Sequence, residues 1–163
     1  MKNKTQTITF TRKQFLALLK AVYLGNWMAN AYSIKKYKKD YQSIEDLIFS
    51  QCPNFGFEQY VTHDESDGNK LYPSSYFEDT TDVHMVHAEY DVQSFWDELA
   101  DNLGERDFFE KYSREEIEQM SQEEFLIKKY ELIEQYEEEL EEYGIMRLTL
   151  TKKEKLKRCS KLN

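Results

Sequence analysis

The residues that make tight turns are scarce in this chain, with five glycines and two prolines among 163 residues. Together they make up about 4%, against a usual share of about 12%. A sandwich or barrel of short strands needs a turn every few residues, so this scarcity argues against an all-β fold and for long helices. No apolar run approaches the roughly 20 residues of a membrane-spanning helix. Met1-Lys2-Asn3-Lys4-Thr5 leads into a short alternating segment, not into the apolar stretch of a secretion signal. Two cysteines, Cys52 and Cys159, are too few for a disulfide framework. The expectation is a reduced, cytoplasmic protein without a membrane partner, in which Cys52 is a small buried filler.

Catalytic motifs are equally sparse. The sequence has no Gly-x-Gly-x-x-Gly, no Gly-rich phosphate loop ending in Lys-Ser or Lys-Thr, and no Gly-x-Ser-x-Gly. His63-Asp64 resembles the paired ligands of metal phosphohydrolases, but those require a histidine upstream and residues 1–62 contain none. Only three histidines occur at all.

What the chain does have is an aromatic, charge-segregated composition. Hydrophobic residues make up 40% and aromatics 15%, including 12 Tyr and 10 Phe, enough to build a packed core. The formal net charge of −9 divides into three blocks. Residues 1–39 carry nine basic and no acidic residues, residues 40–150 carry thirty acidic and seven basic, and residues 151–163 carry six basic and one acidic. Such blocks mark surfaces that meet other molecules, or ends that fold back on an acidic middle.

Periodicity predicts a mostly α domain over 1–163, with four to five helices, a minor sheet, and residues 152–163 as a flexible basic tail. Thr7-Ile-Thr-Phe10 and Arg147-Leu-Thr-Leu150 both alternate polar with apolar, and the expected sheet pairs these two terminal segments. Thr11 with Gln14 reads as a capping box opening a helix to about Tyr32, the core spine, with Gly25 marking a close contact. A second helix is expected over 43–52, capped by Ser43, followed by an irregular stretch over 54–78. The third should run from Asp82 to Leu103 on an apolar stripe of Met85, Ala88, Val92, Phe95, Leu99 and Leu103, with Gly104 just past its end. Asp91 as a cap would instead shorten it and leave 83–89 extended. Ser113/Glu116 and Ser121/Glu124 announce a short helix and then a long one, ended by Gly144. Leu126, Ile133 and Leu140, with Tyr136 and Tyr143, form a seven-residue seam that suits either an intrachain partner or a second copy in a homodimer.

Three functions compete. The leading expectation is a non-catalytic protein-interaction or regulatory protein, binding a protein partner through Glu131, Glu134, Glu138, Glu141 and Glu142 and through the basic tract of Lys35, Lys36, Lys38 and Lys39. The second is a metal-dependent enzyme. On a helix, His84, His87 and Asp91 fall at i, i+3 and i+7, so two imidazoles and a carboxylate could hold a divalent metal. The third is a nucleic-acid partner: lysines around Tyr37 and Tyr41 suit phosphates and stacked bases, while rows of carboxylates could mimic a phosphate rail. The acidic middle, at −23, would repel a long polyanion that faced it.

Overall fold

The computed structural model describes residues 6–32, 36–68 and 70–149. The fold is mostly helical with one small antiparallel sheet. Among the described residues there are six α-helices: α1 (Arg12–Asn30), α2 (Lys39–Phe49), α3 (Ser75–Thr80), α4 (Val83–Lys111), α5 (Arg114–Gln119) and α6 (Gln122–Tyr143). The chain divides into two compact units, residues 1–91 and 92–163, with α4 beginning in the first and ending in the second.

In the first unit, α1 starts at the capping box read from the sequence. The Thr11 hydroxyl accepts from the Gln14 amide, and the Gln14 side chain accepts from the Thr11 amide. Phe15 and Leu19 from α1 are buried with Phe49 of α2, Cys52, Phe57, Phe77 of α3 and Val83. Aromatic rings dominate this core. Phe15 stacks on Phe55 at 3.9 Å, and Phe77 meets Tyr23, Phe49 and Tyr60 edge-on at 5.2–5.5 Å. Offset and edge-to-face pairs of this kind add to the burial of their area. Arg12 stitches α1 to the chain after α2, donating to the Phe55 and Gly56 carbonyls with its guanidinium 4.6 Å over the Phe57 ring. Gly25 marks no close contact, because a Cβ there would meet nothing within 4 Å.

The second helix opens earlier than expected. It starts at Lys39, and Ser43 lies inside it, its hydroxyl donating to the Asp40 carbonyl. The preceding turn is held from α1: the Lys38 amide donates to Asn30 Oδ1 at 2.7 Å. A 3-10 turn over Cys52–Phe55 follows, with Pro53 in its first turn, where a missing N–H costs nothing.

The stretch expected to be irregular contains the sheet. β1 (Val61–Asp64) pairs antiparallel with β2 (Lys70–Pro73), Val61 opposite Pro73 and Asp64 opposite Lys70. The connection is closed by Asp64, whose carboxylate accepts from the Ser66 amide, and by Gly68 at φ +61°. Among the described residues this is the sheet, and the terminal segments are not part of it. Residues 6–10 have no regular structure, with Ile8 72% exposed; 147–149 are likewise outside the sheet, and Leu150 lies outside the described residues. The hairpin closes only a short connection, so its pairing is set locally. Lys70 ties the hairpin to α2 through Asp46 at 2.7 Å.

In the second unit, α4 does not stop at Gly104 but continues to Lys111. Glycine 104 serves helix contact instead. A Cβ there would lie 2.6 Å from Ile133 Cγ1 and 2.8 Å from Ile133 Cα, so the two helix backbones approach at a point only glycine permits. The inward stripe of this part of α4 is half-buried Trp96 with buried Ala100, Gly104 and Phe108, at four-residue steps, packed toward Ile133, Tyr136, Leu140 and Phe125 of α6. The stripe expected from the sequence is displaced: Met85, Val92 and Phe95 are all more than half exposed, and Leu99 is half-buried. The α6 seam holds at Ile133 and Leu140, which are buried, and fails at Leu126, which is 43% exposed. Phe125 takes its place, edge-on to Phe108 at 5.0 Å.

Candidate interaction surface

Helix α6 is built to be long and to stop sharply. The Ser121 hydroxyl accepts from the Glu124 amide at its start, and Gly144, at φ +57°, ends it. Twenty-two residues at 1.5 Å each give an axis of about 33 Å. Its inner face is spent on α4. Tyr136 anchors that contact with its hydroxyl, which donates to Asp107 and accepts from Arg106 at 3.0 Å. The Tyr136 bond and the neighbouring guanidinium hold the Asp107 carboxyl below the usual carboxylate range.

The outer face carries the acids. Glu131, Glu134, Glu138, Glu141 and Glu142 are all exposed, as are Leu126, Ile127 and Tyr130 a turn nearer the start. Three described cations on or beside this helix pair with other carboxylates. Lys128 pairs with Glu124 at 2.6 Å, Lys129 with Glu105 at 3.0 Å and Arg147 with Glu139 at 3.0 Å. Among the described residues none of the five expected interaction glutamates has an ion-pair partner. From 92 to 149 the chain holds eighteen acidic and six basic residues, a net of −12. This face is therefore a field of carboxylates without ion-pair partners among the described residues, beside exposed apolar side chains.

A groove runs beside it. Gln93, Trp96 and Asp97 of α4 and Glu137, Leu140 and Glu141 of α6 enclose about 600 Å³ that closes at Gly144. Of these, only Glu141 belongs to the set expected from the sequence. Trp96, Asp97 and Glu137 come together because the helices cross at Gly104, and nothing in their local spacing announces it. The Glu137/Glu141 separation of one helical turn was legible but reads equally as a solvated face.

The basic tract lies in the first unit. Lys36, Lys38 and Lys39 are exposed, and Lys38 stands 5.8 Å over the Tyr41 ring. The Tyr37 hydroxyl donates to Gln42 at 2.6 Å. Lys35 and the C-terminal lysines lie outside the described residues.

Residues 83–90 are helical, so His84, His87 and Asp91 do share one side of α4. His84 and Asp91 are exposed and His87 is half-buried, its ring 3.5 Å from the Trp27 ring centre to centre. His87 Nε2 stands 3.0 Å from Asp91 Oδ2, off the line a hydrogen bond needs, and has no hydrogen-bond partner. Among the described residues no three His, Cys, Asp or Glu side chains form a group that could hold a metal ion. The structure thus pairs two of the three residues and assembles no ligand set from them. Cys52 is fully buried, and burial pushes its thiol up to about 11, so it is a poor nucleophile.

Comparison with known proteins matches no family model, no curated protein and no solved structure. No helix among the described residues is long and apolar enough to cross a membrane.

Proposed function

We propose that this protein acts by binding another protein, without catalysis, through the acidic outer face of α6. The observation that carries the reading is the set of exposed carboxylates at Glu131, Glu134, Glu138, Glu141 and Glu142, none ion-paired among the described residues, contiguous with exposed Ile127 and Tyr130. Holding like charges one turn apart costs a helix a few tenths of a kcal/mol per pair. A basic partner relieves that repulsion, while the apolar side chains supply area to bury. Long-range attraction steers the encounter and makes it salt-sensitive. The exposed lysines 36, 38 and 39 offer a second patch of opposite sign, suited to an acidic segment of the same or another partner.

The test is a salt-varied pull-down from the source cell, with retained proteins identified by mass spectrometry. The expected result is a stoichiometric partner whose retention falls with salt and is lost on E131K/E134K/E138K. Retention of the same partner by that variant, or no partner at any salt, overturns the reading.

A further inference from the structure

We propose that the groove over Trp96 is a socket for a lysine or arginine side chain of a basic partner segment. This inference rests on the reading of the second unit as an interaction surface and specifies which chemistry it recognises.

The first argument is charge complementarity. Asp97 from α4 and Glu137 and Glu141 from α6 line the groove, and among the described residues none of the three is ion-paired. Asp97 accepts only from the Gln93 amide at 2.7 Å. Three carboxylates are therefore gathered in one concavity, and no cation among the described residues pairs with them.

The second argument is the aromatic wall. An indole is the best side chain for attracting a cation, and the attraction strengthens where water is partly excluded. Trp96 and Leu140 give this concavity an apolar side that a solvated acidic surface lacks. The third is shape. Gly144 closes the groove with no side chain, and a Cβ there would sit 3.8 Å from the Trp96 ring. Its left-handed backbone also disfavours any other residue. At about 600 Å³ the space accommodates an extended basic side chain with its flanking backbone. Tryptophan and arginine are the residues in which binding energy most often concentrates, and the groove supplies one half of such a pair.

The test uses the full-length chain and two synthetic peptides, acetyl-Gly-Arg-Gly-Arg-Gly-amide and the same peptide with citrulline for arginine. Citrulline keeps the shape and removes the charge. Binding is read by titration calorimetry and by the Trp96 indole N–H signal in nuclear magnetic resonance, assigned with W96F. The arginine peptide is expected to shift the Trp96 signal, with the citrulline peptide at least tenfold weaker. E137Q/E141Q, surface changes checked by circular dichroism, should weaken arginine-peptide binding at least tenfold, and E131K/E134K should leave the Trp96 shift in place. An unmoved Trp96 signal, or equal affinity for the citrulline peptide or the Gln variant, overturns the socket. Binding that tightens when Lys152, Lys153, Lys155 and Lys157 are changed to Gln would assign the groove to the chain's own basic segment and overturn an external partner. The two proposals fail separately. A pull-down partner retained by E137Q/E141Q but lost on E131K/E134K/E138K leaves the interaction reading standing and removes the socket.

Discussion

Gly104 of α4 lies directly against the backbone of Ile133 of α6, so close that a methyl group at 104 would stand 2.8 Å from the Ile133 Cα and 2.9 Å from its amide nitrogen. Such distances are well inside van der Waals contact, and backbone atoms cannot swing away as a side chain does. This crossing sets the spacing of the helix pair and thereby the width of the groove between Trp96 and Glu137.

G104A is therefore expected to destabilise the protein by about 2–3 kcal/mol through overpacking, although alanine is the better helix former by about 1 kcal/mol. Urea unfolding of the variant against wild type measures it. A midpoint equal to or above wild type would mean the helices can separate at no cost. I133A should not rescue the variant, because the obstructing atoms include main chain.

G25A should act in the opposite direction. Gly25 is inside α1 with open space where a Cβ would go. Alanine there should stabilise by about 0.5–1 kcal/mol, from helix propensity and a less flexible unfolded chain. The same unfolding assay reads it, and a loss of stability would reveal a contact at Gly25 that the described residues do not make.

Caps distinguish Thr11 from Ser43. T11A removes a hydroxyl that satisfies a first-turn amide and should cost about 1 kcal/mol. S43A removes a hydroxyl bonded within the helix to the Asp40 carbonyl and should stay within about 0.5 kcal/mol of wild type. Equal costs in thermal melts would contradict the observed start of α2.

Glu45 carries a pH signature. It is 5% exposed on α2, and burial raises its carboxyl above the usual range, partly offset by hydrogen bonds from Asn26 and Gln42. A raised value in the folded protein means that the fold favours the protonated form. Its contribution to stability is fully present below the ordinary carboxylate value and is lost as pH rises through the folded value. E45Q keeps an acceptor oxygen and removes the buried charge. Its gain over wild type should be absent near about pH 3, grow through the acid range and level off by neutrality. Urea midpoints across that range test it, and a gain independent of pH would point to packing instead of charge.

Local features were legible in the sequence because they depend on residues within a turn of one another. Of the expected Ser121/Glu124 box the structure forms only the Ser121 half, while the Thr11 and Ser113 capping boxes and the Gly144 stop are present as read. So was the mostly helical class, which follows from scarce turn residues and from periodicity. The hairpin over 61–73 is not legible in the sequence, because its strands are four residues each and end on Pro73, leaving little alternation.

The tertiary structure decided which apolar residues are buried. Both Met85-Val92-Phe95 and Trp96-Ala100-Gly104-Phe108 have helical spacing, and spacing cannot choose between them. The close approach at Gly104 selects the second and leaves the first largely in solvent. The same contact reassigns Gly104 from helix stop to helix crossing and gathers Trp96, Asp97, Glu137 and Glu141 around one groove. Sequence by itself determined the helix starts at Thr11, Ser113 and Ser121, the stop at Gly144 and where the charge lies along the chain, since those depend on bonds within a few residues. Which faces meet, and so which carboxylates share a concavity, is a property of packing between segments some forty residues apart.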